Sequence, residues 1–259
     1  MSDTIVKSNP DAPPLFFEAE AAGLTWLADA GGARVVRVVH VEPGSIELER
    51  IHTGRPQARA ARDFGSALAV THDAGAAAFG APPDGWTGPL FIGRRPLSAA
   101  HESTWGGFYA RERVLPYLEL AIESGGVGRG QASIVRQACD AVAAGVFDDD
   151  DPPSRIHGDL WNGNVLWSPT GLVLIDPAAH GGHRETDLAM LALFGCPYLD
   201  EIVEGYEQTH PLRPGWRERI PLHQLHPLAV HAASYGRGYG DALADAAARV
   251  IALADATRR

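Results

Sequence analysis

Cysteine is scarce in this chain: Cys139 and Cys196 are the only two, and they do not form a C-x-x-C pair. A disulfide framework and a paired-thiol metal or redox motif are thereby excluded, and a reducing compartment fits. Basic charge is also short. Lys and Arg total 22 against 32 Asp and Glu, a formal net charge of -10. That balance argues against nucleic acid and against an anionic membrane surface as partners. No apolar run approaches the roughly 18 residues that a membrane helix needs. The opening "MSDTIVKSNP" has no basic region followed by an apolar core, so no signal peptide is expected. A cytoplasmic protein is the expectation. What is present is ordinary: 45% hydrophobic and 21% charged residues in a chain of 259, enough for one large domain or two lobes.

The pattern changes along the chain. "TIVKS" reads as a strand, and a helix begins near Leu15, with Phe17, Glu20, Leu24 and Leu27 on one face. "ARVVRVVHV", the turn "EPGS" and "IELERI" read as a β-hairpin. After the linker "HTGRP", alanine-rich helical stretches appear at 57–74, 107–124, 131–145, 187–209 and 227–256. One hairpin interrupts them, with "NVLW" and "LVLI" as strands around "SPTG". The expected fold is α+β and two-lobed like a protein kinase. A small β-rich lobe, residues 1–51, precedes a large helical lobe, residues 52–259. The acidic loop "DDDDPP" reads as solvated.

The chemistry concentrates in "RIHGDLWNGNVLW" (155–167) and "LIDPAAHGG". Asn164 precedes the first strand of the second hairpin and Asp176 follows its second strand. An antiparallel hairpin brings its open ends together, with neighbours about 5 Å apart. An amide oxygen and a carboxylate form a hard, all-oxygen set that suits Mg²⁺. Asp159 lies close by, free to accept a proton from a substrate hydroxyl. Asp-x-x-x-x-Asn followed by a hairpin and Asp is the layout of phosphoryl transfer in kinases. Lys7, at a strand end, is then the candidate phosphate ligand, the alternative being an exposed terminal lysine. Its carboxylate partner is Glu18 or Glu20. Glu20 lies on the apolar face, where a carboxylate needs a buried partner, and is the choice. Glu49, Arg50 and Ile51 join strand to linker, where backbone groups could pair with adenine.

"HGDLWNGNVLW", "LIDPAAHGGHRETDLAM" and "FGAPPDGWTGPLFIG" together resemble the fructosamine kinases, or ketosamine-3-kinases, of the clan that includes aminoglycoside phosphotransferases and choline kinases. The similarity runs from Lys7 onward. It implies ATP-dependent phosphorylation of the 3-hydroxyl of a sugar held as a ketoamine on a small molecule or a protein. The product is unstable, so the amine is deglycated. By motif, Asp159 is the base, Asn164 and Asp176 hold metal, and Lys7 with Glu20 anchors phosphate. Trp161 is placed to stack on the sugar-amine. Asp187 resembles the aspartate that braces the catalytic loop, and His157 belongs to the same support. One departure stands out. The family has two strands and a glycine-containing turn before the lysine, and only six residues precede Lys7 here. The small lobe is therefore expected to be incomplete and to hold ATP weakly. Two rival readings follow, another phosphotransferase of this clan and a catalytically impaired nucleotide-binding module.

Other motifs lead elsewhere. "DFG" at 63–65 falls inside a helical pattern ahead of the catalytic loop and reads as coincidence. "GGVGRG" (125–130) and "YGRGYG" (235–240) follow no strand and fail as dinucleotide fingerprints. His223, His226 and His231 read as packed or surface histidines, with Pro227 expected to break the helical spacing. His180 and His183 fit either substrate contact or backbone satisfaction.

Overall fold

The computed structural model describes residues 3–258. The chain forms two compact units, each discontinuous in sequence: residues up to 99 with 152–212, and 100–151 with 213 onward. Among the described residues every strand lies in the first unit. The expected division at residue 51 falls inside that unit. Residues 33–36 explain the continuity. Val36 N–H donates to Leu174 O (3.0 Å) and Leu174 N–H to Arg34 O (2.9 Å), which stitches the first hairpin to the second.

In chain order the first unit starts with β1 (Thr4–Ser8), α1 (Phe16–Ala28), β2 (Val38–Glu42) and β3 (Ser45–Glu49). The three strands form an antiparallel sheet in the order β1-β3-β2. Central β3 buries Ile46 and Leu48, and α1 buries Phe17, Leu24 and Leu27. The hairpin is shorter than "ARVVRVVHV" suggests. Val35 and Val36 are both buried, so this apolar run leaves the sheet to dock on the later hairpin. A continuous run carries no period that would reveal such a split.

Helix α2 (Ala58–Asp73) contains the "DFG" triplet. Phe64 is core. Gly65 allows backbone contact with a later helix, because a Cβ there would lie 1.8 Å from Ile202 O. The hairpin β4 (Leu90–Ile92) and β5 (Arg95–Leu97) follows; sequence periodicity does not show strands this short.

The second unit opens with α3 (Trp105–Phe108), a π-helical stretch Tyr109–Val114, α4 (Leu115–Glu123) and α5 (Arg129–Ala143). Pro116 cannot donate and crowds the preceding turn, a recognised cause of such irregularity. The first unit resumes with β6 (Ser154–Ile156), a 3₁₀ turn Asn162–Asn164, β7 (Val165–Ser168), β8 (Gly171–Leu174), β9 (His180–Gly182), α6 (Glu185–Leu193) and α7 (Leu199–Thr209). The expected helix 187–209 is thus two helices. Gly195 at φ +78, Pro197 and Tyr198 at φ +58 interrupt it.

The chain ends in α8 (Trp216–Tyr235) and α9 (Arg237–Thr257) of the second unit. Here two expectations are corrected. The helix expected from 227 starts at Trp216 and stops at Gly236, and Pro227 does not break it. Pro227 leaves the carbonyl of His223 without its helical donor, and Tyr109 Oη–H fills that place at 2.7 Å. The two glycine-rich decoys meet each other: a Cβ on Gly240 would lie 2.0 Å from Gly126 O. Their glycines serve close chain packing.

Candidate active site

The site is built from α1, β1 and the segment 157–187, all within the first unit. Strand β6 pairs antiparallel with β9, Ile156 opposite His180, and delivers the chain into the loop 157–164. The hairpin β7–β8 pairs Val165 with Leu174, and Ile175 N–H donates to Asn164 O (3.1 Å). The open ends of the hairpin therefore sit side by side, as its spacing predicts. Asn164 Nδ2 donates to Asp159 O (2.8 Å), Asp159 Oδ2 (3.2 Å) and Asp176 O (3.4 Å). All three are oxygens, so the amide's NH₂ must face them and its Oδ1 points elsewhere.

Lys7, the only lysine of the chain, donates to Glu20 Oε1 (2.7 Å) and Asp176 Oδ1 (2.8 Å). Of the two candidate carboxylates on α1, Glu20 is the one that Lys7 contacts. Burial opposes the charge on Lys7, but the carboxylates of Glu20 and Asp176 outweigh it and hold its pKa above the ordinary value. Gly23 lies one turn from Glu20, and a Cβ there would come 3.1 Å from Ala179 Cβ. A larger residue would push α1 off the loop that carries Asp176. Asp176 itself has φ +53, a left-handed conformation that costs most residues energy and that Asp tolerates better than most.

Asp187 is fully buried and clamps the loop. Its Oδ2 accepts from His157 N–H (2.7 Å) and its Oδ1 from Gly158 N–H (3.0 Å). Burial pushes its pKa up, but the hydrogen bond and charge of His72, followed by His157, prevail and hold it below the usual range. His157 Nε2 donates to Ile175 O (2.8 Å), and its Nδ1 accepts from Asp159 N–H (3.2 Å). Sequence reasoning missed His72 and Tyr206. His72 Nε2 donates to Asp187 Oδ2 (3.2 Å), while its Nδ1 meets Tyr206 Oη (2.8 Å). The signal was available: Phe64, Leu68 and His72 repeat every four residues on the buried face of α2, and a polar group there requires a partner.

Asp159 differs from Asp187. Burial, assisted by the charges of Asp187 and Asp176 and resisted by the Asn164 hydrogen bond, pushes its pKa up to about 7. It opens on a cavity of about 530 Å³ that Lys7, Glu20, Asn164 and Asp176 also line. Phe16, Leu90, Phe91 and Arg94 also line it. A carboxylate poised near neutrality can take a proton from an alcohol.

Two expected site features, and the two histidines left open by the sequence, lie apart from this cavity. Trp161 is 40% exposed, and its ring meets Phe194 edge-on at 6.1 Å. The segment Glu49, Arg50, Ile51 does not line the cavity. Glu49 N–H is already given to Arg37 O and Arg50 N–H to Asp3 O. That corrects the expectation for these two donors, since adenine could use only carbonyls there or a donor from Ile51 onward. His180 Nδ1 meets Ala178 O (2.7 Å) and His183 Nδ1 accepts from Glu185 N–H (3.1 Å), so both satisfy backbone groups.

A carboxylate of raised pKa, an Asn–Asp pair at a hairpin mouth and a lysine–glutamate pair, carried on this fold, define a kinase-like phosphotransferase with an alcohol acceptor. Solved structures agree on the fold: an aminoglycoside phosphotransferase superposes with a TM-score of 0.61 at 14% identity, covering 97% of this chain and 86% of its own. The fructosamine kinase family model matches residues 2–252, and the chain belongs to that family. A Thermobifida fusca structure provisionally named a fructosamine-3-kinase shares 46% identity at a TM-score of 0.90, over 96% of this chain and 85% of its own. A protein of Enterococcus faecium named probable ketoamine kinase is 31% identical over 91% of this chain and 83% of its own length. One of the same name from Thermus thermophilus is 31% identical over 92% and 84%.

Proposed function

We propose that this chain is an ATP-dependent kinase that phosphorylates the 3-hydroxyl of ketosamines, the ketoamine adducts of sugars with amines. The observation that carries the reading is Asp159: partly buried, held near neutral pKa, and facing a cavity that also receives Lys7 and the Asn164–Asp176 pair. Asp159 accepts the acceptor's hydroxyl proton as the hydroxyl oxygen bonds to the terminal phosphorus of ATP, the bond to the β-phosphate oxygen breaks and ADP leaves. Asn164 keeps that carboxylate aimed. His157 and Asp187 fix the loop that carries it. Lys7, steadied by Glu20, contacts the nucleotide phosphates.

A magnesium ion fits the donor set. Asn164 spends its NH₂ on three oxygens, and Lys7 takes only Oδ1 of Asp176. The Asn164 Oδ1 and Asp176 Oδ2 atoms are thus left as hard ligands. Bound there, the ion would neutralise phosphate charge. Trp161, exposed beside Phe194, supplies an aromatic face for the sugar-amine. Functionally the chain divides at 51/52, the first part serving the nucleotide, with Ile51 nearest the adenine, and 52–259 serving the acceptor and the chemistry. The phosphorylated adduct decomposes and frees the amine, in metabolites or on proteins. Among the described residues no helix is long and apolar enough to cross a membrane, which accords with a cytoplasmic site of action.

The test is ATP consumption against ribulosamines, fructosamines and aminoglycosides, with the product located by phosphorus NMR. Turnover on ketoamines with phosphate on O3 is expected. Activity confined to aminoglycosides or to choline-like alcohols would sink the ketosamine assignment.

A further inference from the structure

Arg94 stands at the tip of the hairpin β4–β5. The hairpin is rooted by buried Leu90, Ile92 and Leu97, and the Phe91 ring meets Phe16 of α1 with centroids 5.2 Å apart. Its turn is Gly93–Arg94, with Gly93 at φ +54, a two-residue loop with glycine first. Packing does not require an arginine here, because the side chain is exposed. Yet it lines the same cavity as Lys7, Asp159 and Asp176.

The charges of that lining are unequal in their commitments. Three carboxylates, Glu20, Asp159 and Asp176, face two cations, Lys7 and Arg94. Lys7 is already shared between Glu20 and Asp176. Its single charge offsets only part of the carboxylate charge and leaves the wall no positive surplus. Among the described residues lining the cavity, Arg94 is the cation that no carboxylate engages. A nucleotide triphosphate would bring further negative charge against this wall. A guanidinium binds phosphate oxygens through two parallel hydrogen bonds, and cations aimed where charge develops during transfer contribute most to rate. The rooted hairpin fixes the backbone, and the long side chain supplies the reach.

We propose that Arg94 is a catalytic residue that contacts the phosphoryl group as it passes from ATP to the acceptor. This rests on the kinase reading above. The test uses the full chain with Arg94→Ala and Arg94→Lys. Kinetics are measured on two ketoamines, one whose amine bears a carboxylate and one whose amine does not. Calorimetry follows Mg-ADP with and without aluminium fluoride, a mimic of the phosphoryl group in transit. Arg94→Ala is expected to lower kcat about a hundredfold or more on both acceptors, with KM for ATP changed less than about threefold. It should also abolish the tightening that fluoride produces, and Arg94→Lys should recover part of each loss. Both variants should melt with the parent, since the side chain is exposed. A kcat within twofold of the parent, or fluoride tightening left intact, overturns the proposal. So does a loss confined to the KM of the carboxylated acceptor, which would make Arg94 a substrate-carboxylate ligand. A parent inactive on every ketoamine instead refutes the kinase reading, while the fluoride titration still decides whether Arg94 contacts the phosphoryl group.

Discussion

Each unit contains a buried polar cluster, and the two behave differently. In the second unit Tyr109, Arg113 and His226 form one of them. Burial drives Tyr109 far above its ordinary pKa, lowers Arg113 to about 10 and, with help from Arg113, lowers His226 to about 3. At neutral pH these shifts leave the tyrosine and histidine uncharged and the arginine still charged. Their hydrogen bonds are spent on backbone: Tyr109 on His223 O and His226 N, His226 on Arg113 O. In the first unit burial is as deep around Asp187, His157 and His72, but Asp159 stops at about 7 and opens on a cavity. Burial and perturbed pKa therefore do not mark a site by themselves. The mark is a group left divided between two protonation states and given somewhere to send its proton.

The comparison can be tested by removing one group at a time. The largest effect is expected at Asp159. Asp159→Asn should lower turnover by roughly 10²–10⁴-fold while Mg-ATP still binds. It should also raise stability at pH 8. The native pKa of Asp159 lies above its unfolded value, so its contribution to stability is lost as pH rises through about 7. Above that pH the fold carries a buried charge that costs on the order of a few kcal/mol. Melting curves should show the variant above the parent at pH 8 and level with it near pH 4; a variant that melts lower at pH 8 contradicts the assigned shift.

Next come the two oxygens at the hairpin mouth. On the magnesium assignment proposed above, Asp176→Ala removes a charged ligand as well as the partner of Lys7, and should cost more than the roughly 10–100-fold typical of outer-shell partners of a metal. Asn164→Ala removes a neutral one, and extra Mg²⁺ should restore it better. Titrating Mg²⁺ against the rate of each variant separates them; equal losses that ignore Mg²⁺ would mean the pair shares no cation.

A smaller effect is expected at His72, which acts through Asp187. His72→Phe should lower kcat roughly 10–100-fold through a displaced loop, with KM for ATP nearly unchanged, and should lower Tm. If Tm falls but kcat holds, His72 is structural only. The smallest effect on turnover belongs to the second unit. His226→Leu should cost about 0.5–1.5 kcal/mol in urea unfolding for its lost hydrogen bond and leave kcat within twofold. A large kcat loss there would erase the contrast between the clusters.

Much of the site was legible because its parts are local or follow from hairpin geometry. Asn164 and Asp176 are joined by eleven intervening residues whose alternation and turn are plain, and Glu20 announced itself as a carboxylate on an apolar face. What was not legible depends on distant partners. His72 finds Asp187, and Tyr109 finds the carbonyl that Pro227 orphans; both pairings are separated by more than a hundred residues. The same holds for the fold. Strand β1, the two long hairpins and α2 follow from period and turn residues, with small shifts at their ends. The split of 33–41 between two partners, the three-residue strands and the unbroken α8 depend on contacts that no local pattern encodes.

The discontinuity of the first unit has a consequence during synthesis. Residues 1–99 leave the ribosome well before 152–212, and they cannot complete their core until those residues arrive. His72 must wait for an aspartate 115 positions later, and the buried face of α2 must wait for α7. Nascent chains with such long-range dependencies fold late and expose apolar surface meanwhile. The 100–151 insertion lengthens that wait, so synthesis of this protein depends on holding back aggregation until most of the chain has emerged.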